Sequence, residues 1–397
     1  MKTASHEKLL AEIGAWNRQH PVGTAVNSQL YPDRVLKTRT EAMTLFDQKA
    51  VIYLEGFNGY FDLAEVRPVN EAASAAAPAA APAAPAAPAA PAAPAVAAPA
   101  ASPAPAAAAS AKRIALLFPG QGAQSKGMGK ALFEAYPEET RKASEILGYS
   151  IQTLCLDDPK EQLNLTQFTQ PALYVVGALG YFQRRDANDP SADAAFYLGH
   201  SLGEYNALLA ADVFDFETGL RLVMKRGELM AAASGGAMAA VVRVDAERIR
   251  QVLAANGLDA IDLANFNTPT QTVISGPADA MGRAVEILGK EKILAMPLKV
   301  SAAFHSRYMR DAQNEFATFL NGFTLRPPRA TVIANATARP YEADSIAATL
   351  ASQIASPVLW TASISEVLKA GEVEFVEVGS TILTKMVKEI RAAAGNT

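Results

Sequence analysis

A stretch of alanine and proline between residues 71 and 111 divides the 397-residue chain into two parts. Proline recurs at every third position from Pro82 to Pro94. Each proline ring fixes φ near −65° and removes a backbone donor, so neither a helix nor a sheet continues through the segment. We expect an extended, semi-rigid linker with a rise of about 3.1 Å per residue. A ligand for a proline-recognition domain is the alternative interpretation.

Residues 1–70 have the pattern of a small, mostly-β unit. The run "HEKLLAEIGAWNRQH" predicts one short amphipathic helix, and short strand-like runs separated by turn signals follow it. This order predicts a small antiparallel barrel of the SH3-like kind. The unit contains no catalytic constellation. A role in binding another protein and a role as a stabilising appendage both remain open.

Residues 112–397 predict a larger α/β domain that follows the linker. Strand and helix patterns alternate through 112–235 and again through 305–397, which favours a parallel sheet of the α/β-hydrolase-like kind. Between them, residues 236–304 follow the order strand, helix, strand, strand, helix, strand, which is the ferredoxin-like pattern of an inserted subdomain. Two such subdomains meet at a cleft, which is a common place for a ligand.

Composition excludes several classes of function. The net charge of −4 gives no basic surface for nucleic acid. The single cysteine excludes an intrachain disulfide and fits a reducing compartment. The N-terminal residues lack the apolar core of a signal peptide, and the long uncharged run is broken by proline. We therefore expect a cytoplasmic protein with no membrane segment, no metal ion and no bound cofactor.

The segment Gly199-His200-Ser201-Leu202-Gly203 has the G-x-S-x-G spacing of a nucleophile elbow. A sharp turn from strand to helix strains the backbone at the serine and leaves no room for side chains two residues away. The hydroxyl then lies at the start of a helix, where free N–H groups and the helix dipole favour an oxyanion. An apolar run precedes the motif and a helical pattern follows it, so the sequence predicts that Ser201 is a nucleophile.

A serine nucleophile needs a base, and the chain has four histidines. His6 and His20 belong to the N-terminal unit, and the side chain of His200 is expected to point away from its neighbour Ser201. His305 remains, at the point where the inserted subdomain returns to the main sheet. A carbonyl or amide downstream could orient its ring, and Gln353 and Asn335 are the candidates.

Arg226 lies in the middle of an apolar helical stripe made by Leu222, Val223, Leu229, Met230 and Ala233. An unpaired guanidinium facing a core costs several kcal/mol, so an anion is expected beside it. A buried Asp or Glu is one possibility. The other is the carboxylate of a substrate, bound by both prongs of the planar guanidinium. A serine nucleophile beside such a clamp implies an acyl group that carries a second, free carboxylate.

The motifs "FPGQGAQSKGMG", "GHSLGEYNAL", "KRGELM", "NFNTPTQTVISG" and "AAFHSRYM" resemble those of malonyl-CoA:acyl-carrier-protein transacylases. The resemblance covers about residues 113–391 and is greatest to the free-standing acyltransferases that serve polyketide synthases in trans. It implies that malonyl passes from coenzyme A to a serine and then to the phosphopantetheine thiol of a holo acyl carrier protein. The residues that match the family's functional positions are Ser201 as nucleophile, His305 as base, Arg226 as carboxylate clamp, Gln121 and the Leu202 N–H at the oxyanion, Gln353 near the histidine, and Gln170 and Asn267 in the substrate site.

Phe304, which directly precedes His305, bears on the choice of substrate. The resemblance implies malonyl rather than methylmalonyl, because methylmalonyl-selective members tend to have serine at this position. One methyl group is worth only about 1–3 kcal/mol of discrimination, so we expect a preference rather than an exclusion.

Two other functions compete with malonyl transfer. An acyl hydrolase that clears stalled acyl groups from carrier proteins would use the same serine and histidine, but it has no use for a charge at Arg226. A scaffold protein without activity would not need to retain the three residues. Residues 1–70 are a candidate contact with a polyketide synthase.

Overall fold

The computed structural model describes residues 4–28, 31–45, 49–54, 60–69, 113–300 and 302–395. These residues fall into two compact units, one within Met1–Ala104 and the other within Pro105–Thr397. The predicted linker 71–111 lies outside the described residues. In the part of the chain that is described, no helix is both long enough and apolar enough to span a membrane.

The N-terminal unit combines one helix with two small antiparallel sheets. Its elements are α1 (Ala4–Gln19), β1 (Ala25–Ser28), β2 (Tyr31–Lys37), β3 (Met43–Leu45), β4 (Lys49–Tyr53), β5 (Tyr60–Asp62) and β6 (Val66–Pro68). The sheets have the strand orders β2-β1-β6 and β3-β4-β5. Ile13 of the helix belongs to one buried cluster with Val26, Leu36 and Ile52 from the strands. The helix and the strands therefore share one small core.

The second unit contains a parallel sheet surrounded by helices. Its four strands are β7 (Arg113–Phe118), β8 (Phe196–Gly199), β13 (Thr331–Val332) and β14 (Val373–Glu377), in the order β13-β8-β7-β14. All three pairings are parallel. The helices are α2 (Lys130–Ala135), α3 (Pro137–Leu147), α4 (Ile151–Leu156), α5 (Thr166–Asp186), α6 (Gly203–Ala210), α7 (Phe216–Ala232), α10 (Arg310–Leu320), α11 (Ile346–Ser352), α12 (Trp360–Leu368) and α13 (Ile382–Ala394).

Strands and helices alternate through the described residues 113–235, with more helices than strands. This segment contributes β7 and β8 to the sheet, and four α-helices lie between them. The other two strands come from beyond residue 330, and β13 is only two residues long. The chain leaves the sheet there because Ile333 bridges to Pro340 and the Ala334 N–H bonds to the Arg339 carbonyl. The strand β13 therefore ends after two residues, and a local hairpin follows it.

The elements between residues 236 and 304 follow the predicted succession: β9 (Gly236–Val242), α8 (Ala246–Ala255), β10 (Asp262–Thr268), β11 (Gln271–Pro277), α9 (Ala278–Lys290) and β12 (Leu294–Pro297). The four strands form an antiparallel sheet with the order β10-β11-β9-β12. The two helices cover one face, where Val241 and Ile274 pack against Ile249 and Leu288. Backbone hydrogen bonds join β10 to Val358 on the parallel-sheet side. The opposite face of this sheet remains available to line the cleft.

Candidate active site

Ser201 lies on the predicted sharp turn, between the last residue of β8 and the first residue of α6. Its φ of 51° is in the left-handed region, which is a strained conformation for a non-glycine residue. The turn is possible because of two backbone contacts that exclude side chains. A Cβ at Gly199 would lie 1.8 Å from the carbonyl carbon of Gly203, and a Cβ at Gly203 would lie 2.0 Å from the Phe118 oxygen.

His305 lies within hydrogen-bond reach of the serine. Its Nε2 is 2.7 Å from Ser201 Oγ, and its Nδ1 is 3.0 Å and 3.2 Å from the backbone oxygens of Gln353 and Ser356. Carbonyls only accept, so Nδ1 carries the proton and Nε2 is free to accept one from the serine. His305 also has a positive φ, 56°. The imidazole and the hydroxyl are thus placed as a base and a nucleophile in acyl transfer would need to be.

The side-chain amides of Gln353 and Asn335 do not orient His305. Gln353 acts on the ring through its backbone carbonyl, because its side chain points to other partners. Asn335 Oδ1 accepts from the Ser201 N–H at 2.7 Å, and its Nδ2 donates to the Gly199 carbonyl at 2.7 Å. The interpretation of Asn335 as a histidine-orienting residue is therefore wrong, and its amide instead holds the elbow.

Arg226 is buried and makes its hydrogen bonds to neutral oxygens. Nη1 donates to Gln170 Oε1 at 2.6 Å, and Nη2 donates to Gln353 Oε1 at 3.0 Å and to Ser201 Oγ at 3.1 Å. Its Nε has no hydrogen-bond partner among the described residues. Burial lowers the pKa of Arg226, although Tyr205 and Glu204 oppose this shift. In the described part of the chain no carboxylate forms an ion pair with the guanidinium. The guanidinium can therefore still bind an anion.

The charge of Arg226 also affects the base. Burial is the largest cause that lowers the pKa of His305 to about 3, and the nearby Arg226 cation is the second. A cation disfavours a second positive charge in the same low-dielectric site. The imidazole is therefore neutral over the physiological pH range, as a general base must be before it accepts a proton.

Glu204, on the first turn of α6, was missed by sequence reasoning. One carboxylate oxygen accepts from the Asn335 N–H at 2.9 Å and from Gln353 Nε2 at 3.0 Å, and the other accepts from the Tyr341 hydroxyl. Burial raises the pKa of Glu204 to about 7, while these hydrogen bonds oppose the shift. Glutamate on a helix usually faces solvent, and the sequence carries no signal for this buried position.

His200 points away from Ser201, as predicted, and has a different partner. Its Nε2 is 2.8 Å from Asn267 Oδ1 on β10, and its ring centroid is 5.5 Å from that of Trp360. The side-chain oxygen of Asn267, a predicted substrate contact, is therefore already hydrogen-bonded to this histidine. The hydrogen bond connects the elbow with the inserted antiparallel sheet.

A cavity of about 320 Å³ opens at the serine. Its walls include Ser201, His305 and Arg226, together with the predicted residues Gln121, Leu202, Gln170, Asn267 and Phe304. Gln353 and Asn335 are buried behind the lining. The Leu202 N–H, at the N-cap of α6, has no acceptor among the described residues. Within the same residues, no group of three or more His, Cys, Asp or Glu is arranged to hold a metal ion.

Known proteins are similar to this chain in sequence and in structure. Residues 115–393 match the acyl transferase domain family. PksC of Bacillus subtilis (strain 168), a polyketide biosynthesis malonyl CoA-acyl carrier protein transacylase, is 49% identical over 284 residues, which are 71% of this chain and 98% of PksC. The polyketide biosynthesis protein ThaF of Burkholderia thailandensis is 51% identical over 278 residues, which are 70% of this chain. This chain spans only 24% of the length of ThaF.

A solved structure gives the same result. The malonyl CoA-acyl carrier protein transacylase from Burkholderia pseudomallei superposes with a TM-score of 0.69 at 49% identity, covering 71% of this chain and 99% of that one. The α/β fold with a parallel sheet is thus confirmed. Since the family match covers most of the chain beyond the linker and includes the serine, the histidine and the arginine, this protein belongs to the acyl transferase domain family.

Proposed function

We propose that the protein is a malonyl-CoA:acyl-carrier-protein S-malonyltransferase that works through a malonyl-Ser201 intermediate. The proposal is carried by the surroundings of Arg226, a buried cation beside the nucleophile. The hydrogen bonds of Arg226 go to amide and hydroxyl oxygens. An acyl group with a free carboxylate would supply the anion, because a planar guanidinium binds a carboxylate through two parallel N–H groups. The printed names of PksC and of the B. pseudomallei structure support the same activity.

The reaction has two halves that use the same groups. In the first, His305 Nε2 takes the Ser201 proton as Oγ bonds to the thioester carbonyl carbon. The carbon–sulfur bond then breaks, and the coenzyme A thiol leaves with the proton from His305. In the second, the phosphopantetheine thiol of a holo acyl carrier protein gives its proton to His305 and attacks the malonyl-serine carbonyl. The serine recovers its proton as it leaves.

The negative charge on the carbonyl oxygen needs donors on the cavity wall. The unused Leu202 N–H lies at the start of α6, where the helix dipole favours negative charge. Gln121, on the glycine-rich loop after β7, lines the same cavity. We assign the oxyanion to these two residues.

Three further residues shape the site for the acyl group. Gln170 holds one edge of the Arg226 guanidinium and also lines the cavity. Phe304 lines the cavity directly before His305. The resemblance to malonyl-selective transacylases at this position supports malonyl over the bulkier methylmalonyl. Asn267 also lines the cavity and contacts the substrate only where its hydrogen bond to His200 leaves a donor exposed.

The chain's organisation is proposed as follows. Residues 1–70 form an SH3-like unit, 71–111 a linker, and 112–397 the acyltransferase domain. In that domain, 112–235 and 305–397 are an α/β-hydrolase-like subdomain and 236–304 a ferredoxin-like one, an assignment that the order β10-β11-β9-β12 with two helices on one face supports. The expected partner is a holo carrier protein, loaded in trans for a polyketide synthase that residues 1–70 contact. The buried, free Cys155 fits the reducing cytoplasm.

An editing acyl hydrolase is not favoured. Hydrolysis of simple acyl chains gains nothing from a buried cation that costs free energy to desolvate. Arg226 forms no direct ion pair among the described residues, so stabilising a neighbouring carboxylate is not its evident purpose. Binding of a substrate carboxylate accounts for both facts.

Intact-protein mass spectrometry tests the proposal. The enzyme is mixed with malonyl-, methylmalonyl- or acetyl-CoA and then with a holo carrier protein. We expect a malonyl adduct that is absent in Ser201→Ala and that transfers to the carrier. Rapid release of free acid from acylated carrier protein, without a lasting malonyl adduct, would show the hydrolase instead.

The clamp is tested with Arg226→Ala, with Arg221→Ala on the same helix as the matched control. Losing the charged hydrogen bonds should slow malonyl loading about 100-fold, because such bonds are worth about 1.5–3 kcal/mol each. Acetyl loading should rise or stay unchanged. Equal losses with all acyl groups would show that Arg226 is only structural.

A further inference from the structure

Arg226 touches the nucleophile itself as well as its supporting amides. Its Nη2 donates to Ser201 Oγ at 3.1 Å, while the same oxygen lies 2.7 Å from His305 Nε2. A hydrogen bond from a cation withdraws electron density from the oxygen that has to attack. In this arrangement the serine is aligned with its base but is held in a poorly nucleophilic state.

The same cation acts on the base. The charged and titratable groups that lower the proton affinity of His305 are Arg226 and, more weakly, His200. Glu204 accepts from Gln353, which stands between it and the arginine, and it forms no direct ion pair with Arg226. The positive charge of Arg226 that faces Ser201 and His305 is therefore only partly balanced by Glu204.

The position of the cavity determines which hydrogen bond of Arg226 an incoming carboxylate replaces. Nη2 has two partners, of which Ser201 lines the cavity and Gln353 lies behind its wall. A carboxylate that arrives through the cavity meets Nη2 on the serine side. Two-pronged binding of a carboxylate to a guanidinium is stronger than one bond to a hydroxyl, so the carboxylate displaces the serine contact.

We infer that the carboxylate of the acyl donor activates the enzyme: by binding Arg226 it releases Ser201 Oγ and neutralises the charge that faces His305. This inference rests on the proposed function and extends it. Selectivity for carboxylated acyl groups then acts on the rate of acylation as well as on binding. Acetyl-CoA is a slow donor because it leaves the arginine on the nucleophile.

Formate provides a direct test, because acetyl-CoA and formate together present the groups of malonyl-CoA without the bond between them. The rate of Ser201 acetylation by saturating acetyl-CoA is followed by intact-protein mass spectrometry as sodium formate is added. We expect a saturable increase of about tenfold, which corresponds to 1.36 kcal/mol of barrier. Sodium chloride at the same ionic strength should have no effect.

Two variants locate the effect. Arg226→Met should acetylate faster than the wild type without formate and should not respond to it, whereas Arg221→Met should respond like the wild type. Formate that leaves acetylation unchanged, or only inhibits it, overturns the inference, and this wild-type measurement decides even if Arg226→Met does not fold. Malonyl loading in the same preparation tests the proposed function separately, since a protein that loads malonyl but ignores formate refutes only the activation.

Discussion

His305 is buried, His200 is partly buried, and both line the same cavity, but they are held in different ways. His305 uses Nδ1 to contact two backbone carbonyls and directs Nε2 at Ser201 Oγ. His200 uses Nε2 to contact Asn267 on the inserted sheet. Burial is the largest cause of a lowered pKa at both. Both rings lie beside Ser201, but it is His305 that has one nitrogen held by backbone carbonyls and the other directed at the serine oxygen, which is the arrangement that the proposed base requires.

Removing the base gives the largest expected effect. His305→Gln keeps a polar side chain of similar reach, but an amide cannot take the serine proton. Single-turnover malonyl loading should slow by about 10³-fold, within the range of general-base catalysis. A loss below tenfold would mean that another group serves as base and that the contrast between the two histidines is false.

Replacing His200 should affect geometry rather than proton transfer. His200→Leu loses the hydrogen bond to Asn267. It should lower kcat/KM for malonyl-CoA about tenfold, the equivalent of one hydrogen bond of roughly 1–1.5 kcal/mol. His200→Gln can still donate to Asn267 and should retain more activity than the leucine variant. If His200→Leu were as inactive as His305→Gln, His200 would have a chemical role.

The smallest expected effect is on protein stability. Its pH dependence tests directly whether burial keeps His305 neutral. The pKa of His305 is lowered to about 3, so the unfolded chain binds this proton first as pH falls. Stability is therefore fully present above pH 6.5 and decreases between about pH 6.5 and 3. At pH 5 the loss from this group is about 2 kcal/mol.

Calorimetry of the wild type and His305→Gln at pH 7 and pH 5 measures this contribution. The fall in Tm on acidification should be smaller in the variant. His200→Gln should reduce the fall as well, because the pKa of His200 is also lowered by burial. Identical falls in all three proteins would show that neither histidine is kept neutral by the fold.

Those parts of the site that depend on local spacing could be predicted from the sequence. The two glycines around Ser201 predict a turn that tolerates no side chain. A cation within an apolar stripe predicts that Arg226 is buried. His305 could be predicted as the base because the chain has four histidines and the sequence placed the other three away from the serine hydroxyl. The small inserted sheet was predictable because each of its elements has its own strand or helix pattern.

The remainder depends on contacts between distant segments. The carbonyl of Gln353 orients His305, and every residue has a carbonyl, so the sequence could not single it out. Asn335 and Glu204 are 131 residues apart and meet only in the fold.

The close backbone packing at the elbow also limits how this site can evolve. Gly199 and Gly203 leave no space for even one added carbon. Any change in the first two bases of a glycine codon either adds at least that carbon or stops translation. The route from this enzyme to a related one with a new substrate therefore runs through the cavity walls, whose side chains can vary by small steps, while the turn that carries the serine is inherited unchanged.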